Sequence, residues 1–258
     1  MPYAVVTGPT SGIGRSFAES LAAQGHDLLL VSRDAQRLEG VAGEIRARHG
    51  IDVRFVVADL TVREEIARIA GILRSEKVDV LVNNAGFGIK GGVLDTSIDD
   101  EQRMLDVLIT AVLQLTHAVL PGMVERGRGY VFTVSSVAGW ITGGTYSAAK
   151  AWATVFTEGL AVELSGTDVR VVAVCPGFTR TEFHQRAEMD MESVSDWMWL
   201  DTQQVVDQAF RDARSGRVIS VAGPQYKALS ALLRVLPRPL VRRATGVRQS
   251  SARFPQAR

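Results

Sequence analysis

From Tyr3 to Gly14 the sequence is Tyr-Ala-Val-Val-Thr-Gly-Pro-Thr-Ser-Gly-Ile-Gly, an apolar β-branched run that ends in a glycine-rich turn. After the turn, Phe17, Ala18 and Leu21 recur at helical spacing and predict an amphipathic helix. A strand, a glycine turn and a helix in this order are typical of the first unit of a parallel sheet. The start of the chain therefore predicts an α/β fold.

Short β-branched runs alternate with helical patterns along most of the remaining chain. The predicted strands cover residues 3–7, 27–32, 53–57, 78–82, 130–134, 169–174 and 218–221. These runs are apolar on both faces, as strands covered by helices on both sides must be. The sequence thus predicts a single doubly wound Rossmann-type domain, a seven-stranded parallel sheet with helices on both faces. We assign this domain to residues 1–222 and treat residues 223–258 as a C-terminal extension.

Composition limits the classes of function. The chain has 258 residues, of which 46% are apolar, and its formal net charge of +1 gives no reason to expect nucleic acid as a partner. The single cysteine, Cys175, excludes an internal disulfide framework and indicates a reducing compartment. The four histidines have no metal-ligand spacing, so no metal site is expected. Nothing before Ala4 resembles a signal peptide, and we expect a cytoplasmic protein.

The glycine-rich turn has the residue types that bind the phosphates of a dinucleotide. Its glycines permit a tight turn and a close approach to a pyrophosphate, while the following helix N-terminus favours an anion. The candidate binding residues are Gly8, Thr10, Ser11, Gly12, Ile13 and Gly14. A plain strand-to-helix turn is the alternative, but the position after the first strand of a βαβ unit favours phosphate binding.

The end of the second predicted strand discriminates between NAD and NADP. An enzyme that binds the free ribose hydroxyl of NAD has an acidic residue there, whereas this chain has Ser32 and Arg33, with Arg37 one turn later. Because arginine pairs well with a 2′-phosphate, NADP(H) rather than NAD is the expected cofactor. The alternative is that Arg33 is only a solvated residue at a helix start.

Two further loops at strand ends complete the expected cofactor site. Asp59 and Leu60 follow the third strand and are expected beside the adenine. Asn83, Ala85 and Gly86 follow the fourth strand, where the ribose would lie. Asparagines in loops are commonly turn formers, so this motif has weight only together with the others.

The candidate catalytic residues are Ser136, Tyr146 and Lys150. Tyr146 and Lys150 have the i, i+4 spacing that places two side chains on one face of a helix. The ammonium would lower the pKa of the phenol, which then acts as acid-base, and would also bind the ribose of the nicotinamide half. Ser136 ends a strand and is expected to donate to the substrate oxygen. Without Tyr146, a simple strand terminus would explain this serine.

Together these motifs resemble the short-chain dehydrogenase/reductase family over about residues 3–221. The glycine turn, the Asn83 to Gly86 segment, Ser136, the Tyr-Ser-Ala-Ala-Lys segment that ends at Lys150, and Pro-Gly-Phe-Thr-Arg-Thr from Pro176 occur in the family's order. The resemblance implies a dinucleotide across the carboxyl ends of the strands, with Tyr146 as acid-base, Lys150 as ribose ligand and Ser136 as substrate polariser. It also implies that Thr179 and Thr181, after the Pro176-Gly177 turn of the same site, meet the carboxamide and phosphates of the cofactor.

Two departures from the family's pattern bear on turnover. The family usually has an asparagine in the helix after the fourth strand, whose backbone carbonyl holds a water of a proton relay; this chain has Leu108. The relay would then depend on the backbone carbonyl alone, or turnover would be slow. The loop between Ser136 and Tyr146 is also short for the family, so that wall of the pocket should be more open.

The resemblance further implies a lid over the substrate at about residues 182–201. Its large side chains are Phe183, His184, Met189, Met191, Trp197, Met198 and Trp199. Apolar and methionine-rich surfaces adapt to bulky apolar ligands, so the expected substrate is a small molecule of apolar character, a lipid-like, steroid-like or aromatic carbonyl compound or alcohol. Simple packing of the lid onto the sheet is the alternative.

The C-terminal extension is basic and amphipathic. No acidic residue follows Asp212, whereas ten Lys and Arg residues do. Apolar residues recur at helical spacing from Tyr226 to Leu236, and prolines end the pattern. The helix could pack on its own core or on a neighbouring subunit, or could lie on an anionic membrane. We also expect a homodimer or homotetramer.

As a whole, the sequence predicts an NADP(H)-dependent oxidoreductase that interconverts an alcohol and a ketone or aldehyde. The alternative is a cofactor-binding sensor or scaffold protein with weak or no turnover, and Leu108 is its only support. The presence of Ser136 and Tyr146 argues against that alternative, because a protein that only binds the cofactor needs neither.

Overall fold

A computed structural model describes residues 1–183 and 194–245. Within them, seven parallel strands form one sheet in the order β3-β2-β1-β4-β5-β6-β7. The strands are β1 (Tyr3–Thr7), β2 (Asp27–Ser32), β3 (Val53–Val57), β4 (Val80–Asn83), β5 (Gly129–Val134), β6 (Val169–Val174) and β7 (Ile219–Ser220). The predicted Rossmann-type fold is therefore confirmed, and the ends of β4, β5 and β7 differ only slightly from the predicted runs.

Helices lie on both faces of the sheet. They are α1 (Gly12–Ala23), α2 (Ala35–His49), α3 (Arg63–Ser75), α4 (Ile98–Leu105), α5 (Val112–Glu125), α6 (Gly144–Glu163), α7 (Thr202–Arg214), α8 (Pro224–Val235) and α9 (Arg238–Thr245). A π-helical turn, Asp106–Ala111, joins α4 to α5. Short 3-10 turns cover Val137–Trp140 and Asp196–Met198.

Two apolar cores explain this layering. On one face of the sheet, Phe17 of α1, Leu38 of α2 and Val205 of α7 are buried in a common cluster. On the other face, α3, α5 and α6 contribute Ile69, Leu115 and Leu160 to a second cluster. Alternate residues of each central strand point into opposite clusters, which is why the strands are apolar throughout.

The strand order reverses direction between β1 and β4, which are neighbours in the sheet although two strands separate them in the chain. In doubly wound sheets, ligands bind in the crevice outside the carboxyl ends of the strands at this switch point. The glycine turn after β1 and the loop after β4 therefore face the same crevice.

The continuous helical segment Ile98–Glu125 is long and apolar enough to cross a membrane by length and composition alone. Half of its apolar window is buried inside the fold. Leu115, Val119 and Met123 belong to the core beneath the sheet, so the helix has the character of a core helix.

The C-terminal helices pack against the rest of the chain. Tyr226 and Leu233 of α8 and Val241 of α9 are buried, and Tyr226 belongs to the same core cluster as Phe17. Of the alternatives left open by the sequence, packing of α8 on its own core is thus observed within the described residues. Other residues of both helices are exposed.

Candidate active site

The glycine turn is built by close packing that a side chain would prevent. Gly8 and Gly12 have φ angles of +66° and +58°, which non-glycine residues rarely adopt. A Cβ on Gly14 would overlap the carbonyl oxygen of Gly8 and the side-chain amide of Asn84. A Cβ on Gly12 would lie 2.9 Å from the Cγ2 atom of Thr181. The glycines therefore keep α1, the β4 loop and the segment after β6 in contact.

The first turn of α1 offers backbone donors to an anion. Ser11 is its N-cap residue, but its side chain makes no capping hydrogen bond. The backbone N–H groups at the start of a helix have no partner within the helix, so a phosphate can accept from them. This arrangement fits the pyrophosphate of a dinucleotide, and the residues that would hold it are Thr10, Ser11, Gly12 and Ile13.

Thr7 and Asn84 fix the turn to the neighbouring strand, a role that the sequence did not reveal. The Thr7 hydroxyl accepts hydrogen bonds from the backbone N–H groups of Asn84 and Ala85, both at 3.0 Å. The Asn84 amide donates to the carbonyl oxygens of Thr7 and Gly8, also at 3.0 Å. The sequence signal for this role was a pair of polar residues, Thr7 and Asn84, at the ends of the neighbouring strands β1 and β4.

Asn83 does not offer its amide to the cofactor, contrary to the sequence expectation. It is the last residue of β4, buried, and its Nδ2 donates to the hydroxyl of Thr116 on α5 at 2.9 Å. The alternation of side chains along a strand explains this, because Asn83 points toward the helices beneath the sheet. Ala85 and Gly86, which follow, remain in the crevice loop.

The two arginines predicted for a 2′-phosphate have different partners. Arg33 is exposed after β2. Burial raises the pKa of Asp59, but the hydrogen bonds from Thr61 and, more weakly, the charge of Arg33 hold it below its ordinary value. Arg37 forms a bidentate ion pair with Glu182, with nitrogen–oxygen distances of 2.7 and 3.1 Å. Arg37 is therefore already paired with a carboxylate, and Arg33 is the better candidate for the phosphate.

Leu60 is buried more deeply in the fold than the sequence suggested. Its side chain is buried in a small cluster with Ile66, Val107 and Ala111, against which Ala85 and Phe87 pack. Asp59 caps the turn by accepting from the backbone N–H of Thr61 at 2.9 Å. Only Asp59 of this pair is partly exposed, so Leu60 supports the crevice rather than lining it.

Ser136 and Tyr146 meet at the carboxyl end of β5. A hydrogen bond joins their hydroxyl groups and favours the phenolate, but burial dominates and raises the pKa of Tyr146 above its ordinary value. The Ser136 hydroxyl also accepts from the backbone N–H of Ala138 at 3.1 Å and lies 3.4 Å from the carbonyl oxygen of Pro176. These contacts hold the serine beside the phenol.

Lys150 lies one turn below Tyr146 on α6, and its Nζ is 5.6 Å from the centroid of the phenol ring. It donates to the carbonyl oxygen of Val134 at 2.7 Å. Burial lowers the pKa of Lys150 to about 8. In the protein alone, the expected lowering of the Tyr146 pKa is therefore not found, because desolvation outweighs the available stabilisation of the phenolate.

Ser135 and Gly139 position Lys150, and neither was predicted. The buried Ser135 hydroxyl donates to the carbonyl oxygen of Lys150 at 2.6 Å and contacts the hydroxyl of Thr154 at 2.8 Å. A Cβ on Gly139 would lie 3.0 Å from the backbone nitrogen of Ala151. The chain after β5 is thereby pinned to α6, and the serine pair was the sequence signal.

Leu108 occupies the π-helical turn beside the catalytic residues. It is buried with Met104 and Ala149, and Tyr146 packs against this cluster. Its Cδ2 would be 2.8 Å from a Cβ on Gly86. Leu108 thus fills apolar space between the β4 loop and α6, where an amide would find few partners.

The Pro176-Gly177 turn after β6 rests on the C-terminal helix α8. Any side chain on Gly177 would overlap the ring of Tyr226, which is only 1% exposed. The Tyr226 hydroxyl accepts from the backbone N–H of Phe178 at 2.9 Å and donates to the carbonyl oxygen of Met198 at 2.7 Å. Tyr226 therefore joins the turn that precedes the predicted lid to Met198, near the end of that lid.

Thr179 and Thr181 differ in accessibility. Thr179 is buried, donates to the carbonyl oxygen of Gly177 at 3.0 Å, and forms a parallel bridge with Leu200. Thr181 lies against Gly12 of the glycine turn. Only Thr181 reaches the expected phosphate region with its side chain, whereas Thr179 stabilises the lid base.

Several aromatic residues of the predicted lid surround Tyr146 and the turn after β6. The Phe183 ring is 5.7 Å from the Tyr146 ring, and Phe178 is 5.9 Å from Trp199, measured between centroids. Trp197 is exposed. His184, Met189 and Met191 lie outside the described residues.

The shortened loop before α6 is covered by the C-terminal helices. Trp140, in the 3-10 turn, lies 4.5 Å from the guanidinium carbon of Arg234, and its carbonyl oxygen accepts from Arg238 at 3.4 Å. Arg234 of α8 and Arg238 of α9 therefore lie against this loop, and the more open pocket wall expected from its short length stays a prediction.

Comparison with known proteins agrees with this fold. The family model for short chain dehydrogenases matches residues 2–192. The chain is 38% identical over 191 residues to a very-long-chain 3-oxoacyl-CoA reductase from Anas platyrhynchos, across 70% of this chain and 60% of that one. It thus spans less than two thirds of that relative.

Two solved structures are similar over nearly the whole chain. A short-chain dehydrogenase from Sphingobium yanoikuyae in complex with NADPH has a TM-score of 0.82, 29% identity and 100% coverage of both chains. A bulky-bulky ketone specific alcohol dehydrogenase from Comamonas testosteroni has a TM-score of 0.78 and 26% identity, with 92% of this chain and 96% of that chain covered. The chain therefore belongs to the short-chain dehydrogenase family.

Proposed function

We propose that the protein is an NADP(H)-dependent oxidoreductase that interconverts an alcohol and a ketone or aldehyde, with Ser136, Tyr146 and Lys150 as its catalytic residues. The observation that supports this most directly is the hydrogen-bonded pair of Ser136 and Tyr146 with Lys150 beneath it. The dinucleotide would supply or accept the hydride at the substrate carbon. The protein must then move one proton at the substrate oxygen.

In the direction of reduction, Tyr146 gives its proton to the forming alkoxide. A phenol whose pKa is raised is fully protonated at neutral pH and therefore ready to act as the acid. Ser136, already bonded to the phenol, donates to the same oxygen and stabilises the developing charge. Lys150, with a pKa near 8, can stabilise the resulting phenolate and exchange a proton near neutrality.

NADP(H) is our proposed cofactor, with NAD(H) bound more weakly. Arg33 is exposed at the carboxyl end of β2, where NAD-specific sites have a carboxylate. The relative from Sphingobium yanoikuyae is described in complex with NADPH, which supports the proposal. Arg37 would act as a second donor only if its pairing with Glu182 opens.

The proposed substrate is a small apolar carbonyl compound or alcohol. Phe183 packs on the Tyr146 ring, so the side of the pocket next to the reacting oxygen is aromatic. One relative is named a very-long-chain 3-oxoacyl-CoA reductase and one similar structure is described as specific for bulky ketones, which supports a small-molecule substrate with a bulky apolar body.

We further propose a cytoplasmic homodimer or homotetramer. In this proposal residues 1–222 form the Rossmann-type domain, and residues 223–258 form a C-terminal extension that makes a peripheral membrane contact. Exposed apolar residues on α5 and α6, including Leu113, Val155 and Val162, suit a subunit contact.

A cofactor-binding sensor with weak turnover is the second candidate. The specific observation in its favour is the tight apolar packing of Leu108 against the catalytic helix, which offers no amide to a proton relay. Intact contacts between Ser136 and Tyr146 weigh against it, because binding alone does not require them.

The deciding experiment is a panel of ketones, aldehydes and alcohols assayed with NADPH and with NADH. We expect turnover of at least one bulky apolar carbonyl and roughly tenfold or more preference for NADPH, equivalent to about 1.4 kcal/mol. Arg33→Ala should reduce that preference without lowering turnover at saturating NADH. Equal use of both cofactors would refute the NADP assignment, and binding without turnover across the panel would favour the sensor.

A further inference from the structure

The C-terminal helices expose an apolar surface that the fold does not use. On α8 the buried residues Tyr226, Ser230 and Leu233 form one narrow stripe at helical spacing. Leu229, Leu232 and Val235 of α8 and Leu240 of α9 face solvent, whereas Val241 of α9 is buried. We call the C-terminal surface the set of exposed apolar residues Leu229, Leu232, Val235 and Leu240 together with the basic residues Lys227, Arg234, Arg238, Arg242 and Arg243.

The exposure of these apolar residues is large. Val235 is 77% exposed, Leu232 is 53% exposed and Leu240 is 52% exposed. A helix that packs only on its own core would have polar residues at these positions. An exposed cluster of this kind indicates an interaction surface.

The positive charge of the C-terminal surface favours an anionic partner. No acidic residue follows Asp212 in the sequence, and none of the five basic residues of the C-terminal surface forms an ion pair with a carboxylate among residues 1–183 and 194–245. A second copy meeting this surface about a twofold axis would bring two identical basic sets together. An anionic surface would instead be attracted, while its interior would accept the leucines and valine.

We propose that the C-terminal surface docks on an anionic lipid bilayer. The leucines and Val235 enter the interfacial region, and the basic side chains contact lipid phosphates. The proposed function includes a peripheral membrane contact of the C-terminal extension, and this inference names the kind of lipid that the extension contacts. It rests on the proposed function only for the biological purpose of that contact. The docking itself depends on exposure and charge and not on catalysis.

The position of the surface suits the delivery of an apolar substrate. Arg234 and Arg238 contact Trp140, in the turn that follows Ser136. At the first turn of α8, Gln225 donates to the carbonyl oxygen of Trp197 in the predicted lid, at 3.2 Å. The docked helix would therefore hold two walls of the pocket near the membrane, where apolar compounds concentrate.

Vesicle sedimentation of the full chain tests the proposal. We expect binding to mixed phosphatidylcholine and phosphatidylglycerol vesicles, weak binding to phosphatidylcholine alone, and a decrease as salt is raised. Leu232→Glu combined with Val235→Glu should reduce the partition coefficient roughly tenfold or more. As a matched control, Val93→Glu combined with Leu94→Glu changes two equally exposed apolar residues elsewhere and should leave binding unchanged.

Three results would overturn the proposal: no binding to anionic vesicles, equal binding to both vesicle types, or unchanged binding of the Leu232 and Val235 variant. If that variant instead converts an oligomeric wild type to monomers, a second copy occupies the surface and the lipid assignment is wrong. NADPH titration of the same variant separates the two proposals, because its affinity should equal that of the wild type. Failure of the wild type to bind NADPH would contradict the proposed function but not the membrane docking.

Discussion

Replacement of Tyr226 by Phe should loosen the lid base without changing the catalytic residues. The change removes one hydroxyl that accepts from Phe178 N–H at 2.9 Å and donates to Met198 O at 2.7 Å. Both backbone groups lie in a half-buried place and would lose this hydrogen-bond partner, at about 1–2 kcal/mol each. Since the ring still fills the space above Gly177, we expect a total loss of about 2–4 kcal/mol in unfolding free energy.

Denaturant unfolding and thermal melting measure this loss, which corresponds to a fall in Tm of roughly 5–10 °C for a domain of this size. In steady-state assays, KM for NADPH and for the substrate should rise more than kcat falls, because the turn and lid are mispositioned while Tyr146 is intact. Tyr130→Phe is the control, since the Tyr130 ring packs on Phe132 and its hydroxyl makes no hydrogen bond with the described residues. Equal stability of the Tyr226 and Tyr130 variants would refute the reasoning.

Three further predictions concern Leu108 and Lys150. Leu108→Asn should raise turnover at unchanged NADPH affinity, because an amide at this position would improve proton transfer. Denaturation should show a stability cost of about 1–3 kcal/mol for the same variant. A folded Leu108→Asn variant that is no faster than Leu108→Ala would show that the amide is not needed. Lys150→Ala should lower both turnover and cofactor affinity, and an unchanged Kd for NADPH would contradict its ribose contact. Burial lowers the pKa of Lys150 from 10.5 to about 8, so between about pH 8 and pH 10.5 the unfolded chain holds the lysine proton more tightly than the folded chain does. The free energy of unfolding of the wild type, relative to Lys150→Met, should therefore rise with pH across that interval. A difference that does not change with pH in denaturation experiments would argue against the shifted pKa.

The fold was predictable because its signals are local and repeated. Each central strand is an apolar run with helices on either side in the sequence, and the turn from Gly8 to Gly14 can be recognised from its glycines alone. The spacing of Tyr146 and Lys150 follows from helical geometry. None of these inferences required knowledge of a distant contact.

The parts that sequence could not supply depend on contacts between distant segments. The role of Asn83 was misassigned, because the face of β4 on which it lies is set by the sheet register and by Thr116. The pairing of Arg37 with Glu182 joins residues far apart in the chain. Tyr226 was seen only as part of an amphipathic pattern, yet it reaches into the turn at Gly177.

The electrostatics of the site also depend on three-dimensional burial. Sequence indicated that Lys150 would lower the pKa of Tyr146, but it could not weigh that effect against desolvation of both groups. The structure gives a raised pKa for the phenol and a lowered pKa for the lysine. The acid needed for carbonyl reduction is thus the form of Tyr146 that prevails at neutral pH.

The central claim is that the Tyr146 hydroxyl transfers the proton and is not needed for cofactor affinity. A comparison of wild type with Tyr146→Phe under single-turnover conditions tests it most directly. The measurement follows NADPH absorbance after mixing the NADPH-loaded protein with a ketone or aldehyde that the wild type reduces. We predict that the rate falls by about 10²- to 10⁴-fold, while the Kd for NADPH changes by no more than a few-fold. Comparable rates in the two proteins, with equal cofactor occupancy, would contradict the assignment.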